Sequence, residues 1–257
     1  VTEGEWRVRD VLYVDETSRE LYMQTSARVD DRDPYYRDIC RVNLDTGQVI
    51  TLFSENQDAV VHYQESFWML SKKMVGEANE YTGGIAPSGN YLVTTRSRAD
   101  QVPVTVLLNK SGEEILELEV ADVSALPRGW NWPEPVKLLA ADHKTDIYGL
   151  VFRPSDFSSD KCYPVINYIV SAPWLSAVPK SSFHNCTGQT YARHYFYGAA
   201  LAELGFIVVL IDSRGTPLRS KVFQDDSYGW IPSSANKADH LFCLQQLGDR
   251  YPYMDMN

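Results

Sequence analysis

The 257-residue sequence holds only four cysteines (Cys40, Cys162, Cys186 and Cys243), and no two sit at C-x-x-C spacing. That excludes a disulfide scaffold and a zinc-site rhythm, so free or buried thiols are expected and neither a metal nor a cofactor is. Asn185-Cys186-Thr187 fits the glycosylation pattern N-x-[ST], but so short a pattern arises often by chance. The compartment therefore stays open between periplasmic or secreted and cytoplasmic. Long apolar runs are missing too: the longest, residues 206–211, is far short of the ~20 residues a bilayer span needs. No membrane contact is expected, and no basic-then-apolar leader opens the chain. Basic charge is scarce, with 24 Lys and Arg against 34 Asp and Glu, a formal net charge of −10. Nucleic acid is excluded as a partner, because phosphate contacts need clustered Lys and Arg.

What is present reads as a globular chain, 44% hydrophobic and 23% charged. Its first half alternates at period two. Residues 8–14, 20–27, 37–42 and 48–53 read as strands, the last two joined through Asp45-Thr46-Gly47. A second group follows at residues 81–85, 91–95, 102–108 and 114–120, with turns at Pro87-Ser88-Gly89-Asn90 and Lys110-Ser111-Gly112. Recurring four-stranded units suggest propeller blades, and a closed propeller needs at least about four. Either more blades lie upstream of Val1, or this is another stack of antiparallel sheet.

Residues 126–135, with three prolines and a glycine, read as a linker whose Trp130 and Trp132 pin it to a domain surface. Beyond it the rhythm becomes strand then helix. Residues 136–141 and 147–152 form a hairpin, and residues 163–170 an apolar strand. Residues 191–204 form a helix stopped by Gly205, and residues 206–212 a strand buried on both faces in a parallel core. A last helix spans 237–247, capped by Ser234 or Asn236 and ended by Gly248.

In such a sheet the working groups gather at the carboxyl ends of strands, here residues 170–174 and 212–216. The stretches 138–142, 147–157 and 163–166 resemble the opening of an α/β-hydrolase domain. Residues 205–216, Gly-Phe-Ile-Val-Val-Leu-Ile-Asp-Ser-Arg-Gly-Thr, are similar to the G-x-x-V-V-x-x-D-x-R-G-[ST] segment of the prolyl oligopeptidase family of serine peptidases, on its dipeptidyl peptidase IV branch. Phe223, Gly229 and Asp239 stand where that family places Phe, Gly and Asp. The resemblance spans essentially the whole chain. It implies a mixed fold: residues 1–125 as the last blades of a β-propeller, 126–135 as the linker, and 136–257 as the N-terminal part of an α/β-hydrolase domain.

It also implies a peptide substrate and acyl transfer from a serine. No G-x-S-x-G elbow occurs in the sequence, so the triad is expected downstream of Asn257 and no residue of this chain is assigned as catalytic. The five histidines (His62, His143, His184, His194, His240) are expected to be surface or structural. Where relatives carry a Tyr that donates to the oxyanion, this chain has Val170, which has no donor. Tyr168 and Ser171 are the candidate substitutes, and Trp174 a candidate pocket wall. Asp212 and Arg214 invite reading as a charged pair but are expected to fix the loop in which Gly215 permits a tight turn. A non-catalytic interaction relative, or an esterase or acylaminoacyl hydrolase on the same fold, are the alternatives. A sheet ending at Asn257 would leave the strand at 206–212 with an open apolar edge, which a second copy of the chain, as a homodimer, or further chain beyond this sequence could cover.

Overall fold

The computed structural model describes residues 3–61, 84–169, 176–183, 191–228 and 235–257. The chain divides into two compact units, the boundary falling between Ala121 and Asp122, with residues 99–101 belonging to the second. The first unit opens with β1 (Arg7–Asp15), β2 (Glu20–Ser26), β3 (Arg37–Asn43) and β4 (Val49–Phe53), antiparallel and hydrogen-bonded in that order. The turns rest on one device. Asp15 Oδ1 accepts the N–H groups of Thr17 and Ser18, and Asn43 Oδ1 those of Asp45 and Thr46, so a side chain stands in for the missing strand partner.

A second antiparallel sheet contains β5 (Asp58–Val61), β6 (Tyr91–Ser97), β7 (Val104–Asn109) and β8 (Glu114–Val120). Its first strand is β5, not residues 81–85. Of that expected strand, 81–83 lie outside the described residues and Ile85 forms an isolated bridge to Leu92. β5 escapes a periodicity reading because all four of its residues are buried. Its one charge is matched across the sheets: Arg37 donates its backbone N–H, Nε and Nη2 to the buried carboxylate of Asp58. A shared core of Leu12, Ile39, Leu52, Ala59, Val61, Leu92, Val106 and Leu108 lies between the two sheets. Stacked four-stranded sheets of this kind are consistent with a propeller-like region.

The second unit is built on a mixed sheet of β9 (Glu134–Leu139), β10 (Asp146–Phe152), β11 (Tyr163–Asn167), β12 (Ile207–Asp212) and β13 (Met254–Asp255). The spatial order is β13-β11-β12-β10-β9, with β12 parallel to β11 and antiparallel to β10. The expected open edge at residues 206–212 is therefore not found: β12 is interior, flanked on both sides. Every residue of β12 is buried, and they alternate between two cores. Ile207, Val209 and Ile211 join one core, while Val208 and Leu210 join the other.

Among the described residues three helices accompany this sheet: α1 (Tyr191–Glu203), α2 (Lys221–Asp225) and α3 (Ala235–Arg250). α1 ends as expected before Gly205, whose φ of 94° suits glycine. α3 does not end at Gly248 but runs through it to Arg250. Glycine is used there for closeness, since a Cβ would lie 2.8 Å from Met256 Cγ. Asn236 consequently falls inside α3 and not before it, and Ser234 lies outside the described residues. Glu134 and Pro135, read as linker, belong to β9. The short α2 was not expected, although Ser220 caps it by accepting the N–H of Phe223.

Candidate functional site

The parallel pair β11 and β12 brings two strand ends side by side. Of the expected pocket wall, Val170, Ser171 and Trp174 lie outside the described residues. Tyr168 continues β11 past Asn167 by donating its N–H to Val209 O at 2.9 Å. Its hydroxyl meets His194 Nδ1 of α1 at 3.1 Å, with the two rings edge to face. Burial lowers the His194 pKa and raises that of Tyr168, so both are neutral near neutral pH.

The preceding residue turns to the other layer, as successive strand residues must. Asn167 Oδ1 lies 3.3 Å from His240 Nδ1 of α3. Burial pushes His240 down to about 4, with the Asp239 charge opposing the shift. Two histidines from two helices thus brace consecutive residues of β11. Of the surface or structural placements expected for them, both take the buried one.

At the end of β12, Asp212 and Arg214 do not act as one charged pair; each has other partners. Asp212 is wholly buried and accepts from Ser176 Oγ at 2.5 Å and from the N–H groups of Ala177 at 2.6 Å and Val178 at 3.3 Å. Burial raises its pKa, opposed by the Lys180 charge, the Ser176 hydroxyl and those two amides. The carboxylate is in effect an anchor for residues 176–178, drawn onto the strand end.

Arg214 faces α3 instead. Its backbone N–H donates to Asp239 Oδ2 at 3.0 Å, and its Nε and Nη2 reach the same carboxylate at 3.0 and 2.9 Å. The hydrogen bonds to Asp239 raise the arginine pKa further. Asp239 also accepts the N–H of Ala141, and Arg214 Nη1 reaches Asp142 at 3.3 Å. Amide and hydroxyl donors from Thr145 hold Asp142 well below the usual carboxylate range, so it stays charged. One buried carboxylate on α3 therefore ties together the β9–β10 turn and the loop after β12.

Gly215 has a φ of 88°, and a Cβ there would lie 2.4 Å from Ser227 Cβ. Its N–H donates to Phe223 O, and its carbonyl accepts from Ser227 Oγ. Gly215→Ala is expected to destabilise the second unit by about 2 kcal/mol through strain and crowding, read as a lowered denaturant midpoint. An unchanged midpoint would mean the loop relaxes freely.

Asp212 and Asp239 are both fully buried. Among the described residues no group of three or more His, Cys, Asp or Glu could hold a metal ion, and no helix is long and apolar enough to cross a membrane. Ser176, Ser227 and Asp142 escaped the sequence reading, because their partners lie 36, 12 and 72 residues away.

No protein-family model matches the sequence. Over 111 residues, 43% of the chain, it is 28% identical to dipeptidyl peptidase 8 of Homo sapiens and 27% identical to that of Mus musculus. Those residues are 11% of each relative's length. A crystal structure of a provisionally assigned dipeptidyl aminopeptidase IV from Bacteroides ovatus superposes with a TM-score of 0.66 at 21% identity, covering 99% of this chain and 31% of that one. The chain thus corresponds to a minor part of the proteins it matches. The chain is thus similar in sequence to dipeptidyl peptidase 8 over part of its length, and it shares its fold with part of the dipeptidyl aminopeptidase IV structure.

Proposed function

We propose that this chain is part of a serine-type exopeptidase, similar to dipeptidyl peptidase IV, that hydrolyses short peptides by acyl transfer. Residues 1–125 contribute the last blades of a propeller, 126–133 the linker, and 134–257 the first part of an α/β-hydrolase domain. The observation that carries the reading is the parallel β11–β12 pair, whose carboxyl ends are fixed by Asp212 and by the Arg214–Asp239 contact. A peptidase needs a rigid platform at this place, because reacting groups must be held to well within an ångström.

The chemistry itself would come from residues beyond Asn257. A serine would attack the scissile carbonyl, a histidine would take its proton and return it to the leaving amine, and an acid would orient the histidine. The substrate is a peptide, and a second copy of the chain is a candidate partner. An esterase on the same platform, or a non-catalytic interaction relative, would share everything described above. Val170, without a donor for an oxyanion, favours the last of these.

The gene sequence after the codon for Asn257 is the first test: a G-x-S-x-G within a few tens of residues is expected, and its absence would overturn the peptidase reading. The full-length protein is then expected to release arylamine from Xaa-Pro arylamides. Turnover of aryl esters alone would mean an esterase, and turnover of neither would mean an interaction relative.

A further inference from the structure

The outer strand of the second sheet is unlike any other strand in the first unit. All seven residues of β8 are exposed, and its apolar side chains are about half accessible: Ile115 at 50%, Leu116 at 55%, Leu118 at 47% and Val120 at 49%. β8 pairs with β7 on one side, and among the described residues no strand pairs with its other edge, which is open there. An open edge flanked by aliphatic side chains is a template for another strand.

The charges on β8 decide which strand fits. It carries Glu114, Glu117 and Glu119 among the aliphatic residues. Glu114 is met by Arg96 at 2.9 Å, whereas no cation meets Glu117 or Glu119 among the described residues. A second copy of β8 would bring these carboxylates against their own kind, and two chains of net charge −10 repel each other as wholes. An acidic or uncharged segment gains nothing from the carboxylates and must still desolvate them. A strand that alternates Lys or Arg with aliphatic residues satisfies both sets of side chains at once.

We propose that the open edge of β8 is a docking site for an extended basic peptide segment. The segment adds to the sheet by main-chain hydrogen bonds. Its aliphatic residues cover Leu116, Leu118 and Val120, and its cations neutralise Glu117 and Glu119. The ladder slips between Thr105 and Val106 and between Leu107 and Leu108, leaving Ile115 and Leu118 without a partner residue on β7. Such bulges twist an edge and discourage indiscriminate pairing, which leaves charge as the feature that admits a partner.

The test uses the 257-residue chain and two short fluorescent peptides, one alternating Lys with Val and one alternating Glu with Val. Fluorescence anisotropy at low salt is expected to show binding of the Lys peptide only, weakened at high salt. Glu117→Lys with Glu119→Lys is expected to lose the Lys peptide by at least about tenfold and to gain the Glu peptide. Leu116→Ser with Leu118→Ser is expected to weaken the Lys peptide while leaving the circular dichroism spectrum unchanged, since both side chains are surface groups. Equal binding of the Lys peptide to the parent and both variants would overturn the proposal, as would no binding at all. A dimer in sedimentation velocity that the two serine substitutions dissolve would assign the edge to a second copy instead, and would also overturn it.

Discussion

Lowering the pH from 6.5 to about 4 is expected to remove about 3 kcal/mol of stability from the second unit through His240 alone. In the unfolded chain this imidazole titrates at its ordinary value of 6.5, whereas burial in the folded state holds it neutral down to about 4. Between those values the unfolded state binds more protons, so stability falls as the pH falls and the loss is complete below the folded pKa. The side chain is only 2% exposed, so solvent screening does little to soften the effect. His240→Gln keeps a polar group opposite Asn167 but cannot take up the proton. Denaturant midpoints across this window should therefore slope in the parent chain and flatten in the variant. The same slope in both would show that His240 is solvated on protonation without unfolding.

Asp239→Ala is expected to cost about 3 kcal/mol, the low end for removing one partner of a buried ion pair. Four donors lose their acceptor together: the N–H groups of Ala141 and Arg214, and Nε and Nη2 of Arg214. The guanidinium remains about one-fifth accessible and keeps Asp142, which limits the penalty. Amide exchange at Ala141 and Arg214 should quicken even at low denaturant, because both protons point at the missing carboxylate. Protection that persists at both amides would mean another acceptor replaces Asp239.

Much of the first unit was legible because its sequence alternates at period two between turns marked by Asp, Asn and Gly. β1, β2, β3, β4, β6, β7 and β8 all lie within a few residues of where alternation places them. β5 was not legible, since a run of four buried residues has no rhythm, and its aspartate looks like a loop residue until Arg37 is placed beside it. In the second unit, the six buried residues of β12 announced an interior strand but not its antiparallel neighbour β10. Nearness in sequence misled at Gly248, which resembled a helix stop but is a contact point for Met256. Asp212 and Arg214, two residues apart and expected to fix the loop, turn to different partners that only the fold brings near. The histidine braces were invisible because His194 and His240 lie 26 and 73 residues from the strand residues they meet.

The alternation along β12 carries a consequence for how this unit tolerates change. Ile207, Val209 and Ile211 feed one layer while Val208 and Leu210 feed the other, so the strand is a wall common to two rooms. A slip of one residue would send every side chain into the wrong room. Neither layer can repair the error alone, because moving the strand to suit one empties the other. The two helical layers should thus melt in a single step, and a one-residue deletion within 207–211 should be far less forgiving than the same deletion in a one-faced strand such as β1.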